Sequence, residues 1–328
     1  MRPLLSICIP TYNRASFLRS TLWNWLPQVR LTDGIVELIV CDNASTDNIQ
    51  AVIKEAKEWG GFQYYRNDVN IGAISNMYRL VEELAIGKYV WVVGDDDIPN
   101  IKTLEIVVNA LKENTNINYI YANYSYWYPT SEQEKTLLQS QDLDFSKVAC
   151  SDSSIRVCNQ LLDLVDLDIN CFTPIYCLIM RKHDACQAFK LGINSEWFSS
   201  IEATIPHALY IAKYSLKKNV LYIGFPCILS SYNISWVNNL VVYQVIYLAE
   251  LYRIIEKEGG YRKSISEYRR QIARNLPSFI DVFKSNNLSM YIKLLVTFKR
   301  YVNYSPFYIF WIDLSGVLYF FRKLVLKK

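Results

Sequence analysis

The sequence is poor in the features that mark fibrous, disordered and nucleic-acid-binding proteins. Of its 328 residues only 11 are glycine and 10 are proline, and it contains no internal repeat. Charged residues make up 20% and the net charge is only +4, which is too small to indicate a nucleic-acid partner. Hydrophobic residues make up 51%, so the chain is expected to be globular with a large core.

A second set of absences concerns the compartment. The eight cysteines include no CxxC pair and no metal-ligand spacing, and Cys8 and Cys41 lie within apolar runs. A thiol in such a run behaves as a small hydrophobic side chain, so a reducing compartment is expected. No basic region leading into an apolar signal core opens the chain. We therefore expect its folded part to be cytoplasmic.

Apolar segments of strand length alternate with amphipathic segments of helix length in the first half. The pattern predicts strands over residues 4–10, 36–42, 62–66, 88–97 and 117–124, separated by helices over residues 15–25, 48–58, 71–84 and 101–112. Such an order indicates an α/β fold, with a mostly parallel sheet flanked by helices. We expect this domain to cover residues 1–225, followed by a helical region over residues 226–328.

Three adjacent aspartates, Asp95, Asp96 and Asp97, follow the apolar part of the fourth strand. Their charges repel one another at the end of a buried strand, so a partner must offset this cost. A divalent cation with hard oxygen ligands meets the need, and a diphosphate would complete its coordination shell. A solvated acidic turn, or aspartates that cap the next helix, would explain the same residues.

Two further polar clusters follow the second and third strands. Asp42 and Asn43 offer acceptors and donors that could read a base or ribose edge, but an ordinary helix cap explains them equally. After Asn70, Gly72 would let the backbone approach a ligand, with Asn76 one helical turn further on the same side. A plain loop and helix would also account for this cluster. All these residues end predicted strands, where α/β sheets bind ligands.

Together the clusters resemble the ordered signatures of family 2 glycosyltransferases. The motifs are SICIPTYNR, VCDNASTD, NDVNIGAISN and VGDDDI, and the resemblance covers about residues 4–113. It implies a GT-A fold, a nucleoside diphosphate-sugar donor, a divalent cation such as Mg²⁺ or Mn²⁺, and usually inversion at the anomeric carbon. It also implies a donor site, in which the matching residues are Pro10, Thr11, Tyr12, Arg14, Asp42, Asn70, Gly72 and Asn76.

The acidic motif departs from the pattern of many relatives, which carry Asp-x-Asp-Asp. Gly94 stands where the carboxylate that contacts the ribose is often found, so Asp95 becomes a possible substitute for it. The resemblance then assigns the metal to Asp96, together with Asp97. A glycine at this point resembles the subgroup of O-antigen abequosyltransferases, whose donors are CDP-linked 3,6-dideoxyhexoses.

A candidate catalytic base lies further along the chain. In many inverting relatives a carboxylate pair supplies the base here, and Pro206-His207 stands in its place. An imidazole with an ordinary pKa, near ~6.5, is a competent base at neutral pH. His207 could instead be a third metal ligand or a partly buried helix histidine. Glu202 and Glu196 are then the carboxylate alternatives.

The last segment, residues 291–328, combines aromatic residues with flanking basic pairs. Such a segment suits a helix in the membrane interface, although a core helix of the second region would look similar. The resemblance implies a polyprenyl-linked oligosaccharide acceptor in a bacterial surface polysaccharide pathway, at the inner face of the cell membrane. A nucleotidyltransferase is disfavoured because residues 6–14 contain no glycine. A degenerate sugar-nucleotide-binding protein remains open because of Gly94.

Overall fold

The computed structural model describes residues 2–130, 136–231, 239 and 243–274. The chain divides into two compact units, Met1–Ser235 and Trp236–Lys328. The boundary expected after residue 225 falls within the strand Val220–Ser231. This strand pairs with its neighbour as far as Ser231, and the first unit therefore continues beyond residue 225.

In the described part of the first unit, nine strands form one sheet. They are β1 (Leu5–Thr11), β2 (Val36–Asp42), β3 (Gln63–Arg66), β4 (Tyr89–Val92), β5 (Ile98–Pro99), β6 (Tyr119–Trp127), β7 (Ile155–Cys158), β8 (Leu178–Arg181) and β9 (Val220–Ser231). Their order is β3-β2-β1-β4-β8-β6-β9-β5, with β7 also paired to β9. Pairing is parallel among β1, β2, β3 and β4 and between β6 and β9. Strands β5, β7 and β8 pair with their neighbours in the antiparallel direction. The sheet as a whole is mostly parallel, as predicted.

Six α-helices accompany these strands within residues 2–130 and 136–231. They are α1 (Ala15–Arg30), α2 (Ile49–Trp59), α3 (Ala73–Arg79), α4 (Thr103–Glu113), α5 (Lys182–Lys190) and α6 (Pro206–Tyr214). Helix α1 packs against α2 and α4, whereas α5 packs against α3 and α6. The connections β1–α1–β2 and β2–α2–β3 advance in one direction along the sheet, and β3–α3–β4 returns. Because such crossovers are right-handed, the return places α3 on the opposite face.

The apolar pattern of the sequence explains how these layers pack. Helix α2 buries Ile49, Val52, Ile53 and Ala56, a spacing that places all four on one face. The ring of Trp25 in α1 meets Trp91 of β4 edge-on, with centroids 5.4 Å apart. Aromatic pairs in this arrangement contribute about 1 kcal/mol beyond the area they bury. The core therefore joins α1 to the strand that precedes the aspartates.

Several predicted boundaries are wrong in an informative way. The fourth strand was expected to reach Asp97 but ends at Val92, since the polypeptide turns before β5. Helix α1 continues through Pro27 to Arg30, where buried Leu26 and Val29 favour the helix. Helix α3 is followed by a π-helical turn, Leu80–Leu84, in place of regular helix. The short strands β5 and β7 were not predicted.

The second unit is helical where it is described, as expected. A π-helical turn (Tyr243–Tyr247) leads into α7 (Leu248–Gly259), which is followed by α8 (Lys263–Arg274). The rings of Tyr252 and Tyr268 join the two helices at 5.3 Å. Across residues 2–130, 136–231 and 243–274, no helix is both long and apolar enough to span a membrane. The interfacial helix predicted in residues 291–328 lies outside the described residues.

Candidate active site

The candidate site lies where the strand order of the sheet reverses. Strand β1 has β2 on one side and β4 on the other, and it is parallel to both. The chain therefore leaves β1 and β4 at the same edge of the sheet. In open α/β sheets this switch point forms a crevice that binds ligands. The β1–α1 loop and the acidic segment after β4 meet here.

The three adjacent aspartates, which we call the acidic turn, begin with an inward-facing residue. Asp95 is buried, and its Oδ2 accepts a hydrogen bond from Thr11 Oγ1 at 2.7 Å. Its backbone oxygen accepts another from Thr21 Oγ1, also at 2.7 Å. Arg14 Nε lies 2.8 Å from Asp95 Oδ1. Asp95 thus links β4 to the β1–α1 loop and to α1.

The other two aspartates differ in exposure. The Asp96 side chain is 26% exposed and pairs with Arg14 Nη2. Asp97 is buried; its Oδ2 accepts the Gly94 N–H at 2.6 Å, and its carboxyl also hydrogen-bonds Ser230. Pairing of β5 with β9 places Ser230 beside Asp97. Asp96 is therefore the carboxylate of the acidic turn that solvent reaches most easily.

Gly94 has a steric role in this turn. A Cβ atom at this position would lie 2.8 Å from both Asp96 Oδ1 and Asp97 Oδ2. Such distances are far shorter than ordinary carbon–oxygen contacts, so a side chain would displace one of these carboxylates. A side chain at this position would therefore change how the carboxylates of Asp96 and Asp97 are held.

Electrostatics of the acidic turn follow from burial and proximity. Burial raises the pKa of Asp95, and Arg14 works against that shift. Burial and the neighbouring Asp96 carboxylate raise the pKa of Asp97. Both shifts disfavour the charged form, as expected for like charges that are held close together. A cation that approached the turn would offset this cost.

The β1–α1 loop is fixed by the loop that follows β2. The Asn13 N–H donates to Ser45 Oγ at 2.8 Å, and Asn13 Oδ1 accepts the Thr46 N–H at 2.6 Å. Asn13 has a φ of 54°, a left-handed conformation that asparagine tolerates better than most residues. Tyr12 is left 43% exposed beside this bridge, and Pro10 is half-buried at the end of β1. The loop is therefore preformed, with an exposed aromatic ring.

Asp42 is completely buried at the end of β2, and its carboxylate is fully engaged. Oδ1 accepts the Ser45 N–H at 2.8 Å, and Oδ2 accepts Tyr64 Oη at 2.8 Å together with Arg66 Nη1. Arg66 Nη2 also donates to the Ser45 carbonyl at 2.8 Å. These bonds hold the β2–α2 loop against β3, so Asp42 positions Arg66 in this structure.

Beside Asp42 lies a set of linked amides that we call the asparagine network. Its members are Asn43, Asn67, Asn70 and Asn76. Asn67 Nδ2 donates to Asn43 Oδ1 at 2.8 Å and to Asn76 Oδ1 at 2.9 Å. Asn43 Nδ2 donates to Asn70 Oδ1 at 2.7 Å, and Asn76 Nδ2 donates to the Cys41 carbonyl at 3.0 Å. Neutral groups thus satisfy one another across the ends of β2, β3 and α3.

Gly72 begins helix α3 next to this network. Its φ of 86° is disfavoured for residues with a Cβ, and its N–H donates to Asn70 Oδ1 at 2.9 Å. No atom lies within 4 Å of a Cβ built there. The glycine is therefore required by the conformation of the turn, and the space above it is open.

His207 opens α6 behind Pro206, as expected, but its ring is buried. The residue is only 4% exposed, and its Nε2 lies 3.1 Å from the Thr173 carbonyl. Because a carbonyl can only accept, Nε2 carries the proton and Nδ1 is left with a lone pair and no partner. Burial lowers the pKa of His207 to about 4. The imidazole is therefore neutral at physiological pH.

The two alternative glutamates lie on the segment between α5 and α6. Glu202 is half-buried and Glu196 is exposed. The Asn194 N–H donates to Ser75 Oγ of α3 at 3.2 Å, which ties this segment to the helix that carries Asn76. Glu202 is thus more accessible than His207 and belongs to a segment anchored beside the asparagine network.

The structure brings most of the predicted donor residues to one edge of the sheet. Direct contacts link Thr11 and Arg14 with the acidic turn, and Asn43 with Asn70. Sequence reasoning missed several residues that hold this site together. They are Arg66, Asn67, Arg79 and Ser230. Asn67 is part of the NDVNIGAISN motif and could have been noticed there, but Ser230 is distant in sequence and had no local signal.

Comparison with known proteins identifies the class of this chain. Residues 6–186 match the family model described as glycosyl transferase family 2, and this range is more than half of the 328 residues. The chain belongs to glycosyl transferase family 2, and its fold is the GT-A fold of that family. The resemblance inferred from the motifs is confirmed.

Two individual relatives match part of the chain. The chain is 35% identical to abequosyltransferase RfbV of Salmonella typhimurium over 116 residues, which are 35% of this chain and 34% of RfbV. It is 33% identical to the uncharacterized glycosyltransferase MG060 of Mycoplasma genitalium over 127 residues, 38% of this chain and 42% of that protein. In both cases the match spans less than half of the relative's length.

Solved structures agree on the fold. S. aureus TarS 1–349 in complex with UDP superposes with a TM-score of 0.57 at 15% identity, covering 92% of this chain and 81% of TarS. The complex with UDP-GlcNAc gives 0.54 at 14% identity, covering 92% and 72%. At such low identity the similarity concerns the fold alone.

Proposed function

We propose that this chain transfers a sugar from a nucleoside diphosphate-sugar to a hydroxyl group of a saccharide acceptor, with inversion at the anomeric carbon. The observation that carries this proposal is the contact of Arg14 and Thr11 with the acidic turn at the switch point of the sheet. There a cationic side chain, carboxylates and an exposed Tyr12 lie at the ligand-binding edge. Family membership and the UDP and UDP-GlcNAc complexes of TarS support the donor class.

The carboxylates of the acidic turn suit Mg²⁺ or Mn²⁺, which prefer oxygen ligands. We assign the metal to Asp96, because its carboxylate is partly exposed, with Asp97 beside it. The described residues contain no group of three or more His, Cys, Asp or Glu arranged to hold a metal by themselves. Ligand oxygens such as those of a diphosphate would have to complete the shell. When bound, the ion would stabilise negative charge on the departing diphosphate.

We assign the nucleotide to the side of the site formed by the ends of β1, β2 and β3. The fixed β1–α1 loop would present Tyr12, and the network would present Asn70 and Asn76 with Gly72 between them. Asp42 would act on the base through Arg66, since its own oxygens are engaged. In this assignment the chain binds the donor in a site that is largely formed before binding.

Glu202 is our candidate for the general base that accepts the proton of the acceptor hydroxyl. A base works best when its pKa lies near the operating pH and it can reach the proton. The half-exposed position of Glu202 supports reach, whereas His207 is only 4% exposed. The unpartnered Nδ1 of His207 keeps this histidine as a second candidate. Turnover of Glu202→Gln and His207→Gln, measured at saturating donor, distinguishes them.

The similarity to abequosyltransferase RfbV supports a more specific donor and setting. We propose a CDP-linked 3,6-dideoxyhexose as donor and a polyprenyl-linked oligosaccharide as acceptor, in bacterial O-antigen or related surface polysaccharide assembly. The protein would then work in the cytoplasm, on the inner face of the cell membrane. Removal of residues 288–328 should release it from anionic liposomes in flotation. Equal binding by both forms would contradict this location.

A panel of nucleotide sugars tests the proposed function directly. Purified protein is incubated with each donor and a lipid-linked acceptor extract, with Mg²⁺, with Mn²⁺ and with a chelator. We expect transfer, or slow donor hydrolysis without acceptor, that requires metal and is lost in Asp96→Ala. Binding without either reaction would indicate a degenerate sugar-nucleotide-binding protein. Release of pyrophosphate from a nucleoside triphosphate and sugar phosphate would indicate a nucleotidyltransferase.

A further inference from the structure

Arg14 is the cation that meets the acidic turn in the described part of the chain. It supplies both ion pairs found there, from Nε to Asp95 at 2.8 Å and from Nη2 to Asp96. Its guanidinium is also held over the ring of Phe17, 4.3 Å from the ring centroid. Arg14 thus supplies positive charge to a turn in which carboxylates crowd one another.

The contacts of Arg14 are uneven. Nε is buried and close to Asp95, yet its N–H is not aligned with any acceptor, so that contact is an ion pair without a hydrogen bond. Nη2 donates a hydrogen bond to the carboxylate of Asp96, the aspartate with the most exposed side chain in the turn. The guanidinium therefore occupies one carboxylate oxygen, Oδ2, of the aspartate assigned to the metal, and its own Nε has no hydrogen-bond partner.

We propose that Arg14 is an internal cation that competes with the divalent metal for Asp96. In the metal-free protein the guanidinium neutralises the turn, so bare metal binds weakly. Metal binding requires Arg14 to give up Asp96, which leaves the guanidinium available to an anionic group such as a diphosphate. This inference rests on the metal site of the proposed function, and it makes Arg14 a residue that couples metal binding to diphosphate binding.

The competing explanation is that Arg14 only braces the turn. Arginine forms directed contacts with carboxylates, and its loss would then loosen Asp96 and weaken metal binding. Competition predicts the opposite sign. Removal of one positive charge a few ångströms from a dication should tighten binding by about tenfold or more at an effective dielectric between those of protein surface and water.

Mn²⁺ titration without nucleotide separates the two explanations. Loss of the electron paramagnetic resonance signal of aqueous Mn²⁺ reports binding to the full chain, to Arg14→Gln and to Arg19→Gln. Arg19 lies on α1, the helix that follows Arg14, and pairs with Glu55 at the surface, so its variant loses the same charge away from the turn. We expect about tenfold tighter Mn²⁺ binding in Arg14→Gln and wild-type affinity in Arg19→Gln. Adding Asp96→Asn to Arg14→Gln should remove the gain.

Equal or weaker Mn²⁺ binding by Arg14→Gln overturns the proposal, as does the absence of binding in both proteins. In either case, calorimetry with CDP and UDP tests nucleotide binding separately. If Arg14→Gln fails to fold, nuclear magnetic resonance of the wild-type arginine Nε–H groups gives the answer. Added Mg²⁺ should shift the Arg14 signal, assigned with Arg14→Lys, and leave the Arg19 signal in place. An unmoved Arg14 signal at saturating Mg²⁺ would also overturn the competition.

Discussion

The asparagine network and the acidic turn flank the same strand, β1, but different interactions hold their side chains in place. In the network each amide finds a neutral partner, with four bonds of 2.7–3.0 Å that join Asn43, Asn67, Asn70, Asn76 and a backbone carbonyl. In the acidic turn the Arg14 guanidinium pairs with two of the three carboxylates, those of Asp95 and Asp96, and the pKa values of Asp95 and Asp97 are raised. The comparison separates a region of neutral amides, to which Arg79 adds one hydrogen bond at Asn67 Oδ1, from a region of crowded carboxylates.

This difference has an energetic basis. Buried amides that satisfy one another keep most of the hydrogen-bond energy they had in water, so the network stabilises the fold. Buried like charges destabilise it, and Arg14, the hydrogen bonds from Thr11 and the Gly94 N–H, or a ligand must offset the cost. Mutations in the first region should therefore affect folding, and mutations in the second should affect binding and chemistry.

The largest effect is expected in the acidic turn. Asp96→Ala should lower turnover by about 10³-fold or more, because it removes the proposed metal ligand and its stabilisation of the leaving group. Loss of one of three crowded carboxylates should leave the melting temperature unchanged or slightly higher. Metal-dependent donor hydrolysis and thermal unfolding measure the two effects. Glu113→Ala, an exposed acidic residue of α4, is the charge-matched control. Near-normal turnover of Asp96→Ala would refute the metal assignment.

The asparagine network should respond in the opposite manner. Asn67→Ala removes two donated bonds and the acceptor of Arg79, leaving buried partners unsatisfied. We expect a loss of about 3 kcal/mol in the free energy of unfolding, measured by urea denaturation. Asn109→Ala, on the exposed face of α4, should change stability by less than about 0.5 kcal/mol. If Asn67→Ala were as stable as Asn109→Ala, the network would not be the rigid part of the site.

His207 adds a third kind of group to the comparison, since burial is the main cause of its lowered pKa and the hydrogen bond to the Thr173 carbonyl opposes it. Its pKa is about 4 when folded, against about 6.5 in an unfolded chain. Between these values the unfolded chain binds more protons, so this stability is complete above about pH 6.5 and is lost as the pH falls toward 4. The stability difference between wild type and His207→Gln should therefore change by about 2 kcal/mol between pH 7 and pH 5, with wild type losing more.

The second histidine of the chain provides a control for the general effect of pH on stability. His183 is exposed on α5 and lacks the burial on which this prediction rests, so His183→Gln serves as the control. Urea denaturation of the three proteins at pH 7, 6 and 5 measures the effect. A difference between wild type and His207→Gln that does not vary with pH would mean that the ring is not held neutral by burial.

The smallest effect concerns Asp42, which stands between the two regions. If it acts on the nucleotide by positioning Arg66, Asp42→Ala and Arg66→Gln should each weaken nucleoside diphosphate binding by about tenfold, the effect of one lost charge-assisted contact. Mn²⁺ affinity should not change in either. Calorimetry measures both ligands. Weaker binding in Asp42→Ala alone would indicate direct contact with the base, and normal binding in both would leave Asp42 a structural role.

The sequence was most informative where the chemistry is local. Buried strand patterns located β1 and β2 within a residue or two, because a parallel strand covered on both faces must be apolar throughout. The acidic turn was equally visible, since three adjacent aspartates directly after an apolar strand form a contiguous motif. The pairing of Ser230 with Asp97 was not visible, because it depends on the two-residue strand β5 and its contact with β9. Such a strand is too short to show a period.

The sequence by itself determined the α/β class, the family and the loops that carry the site, since these follow from the apolar period and from contiguous motifs. Only the tertiary structure decided which partners the side chains in those loops have and which of them are buried. Arg14 forms ion pairs with Asp95 and Asp96, Asp42 forms one with Arg66, and the ring of His207 is buried. The reason is physical: charge state and accessibility depend on burial and on neighbours that are distant in sequence. These are set by the packing of the helices and strands, and no local pattern contains them.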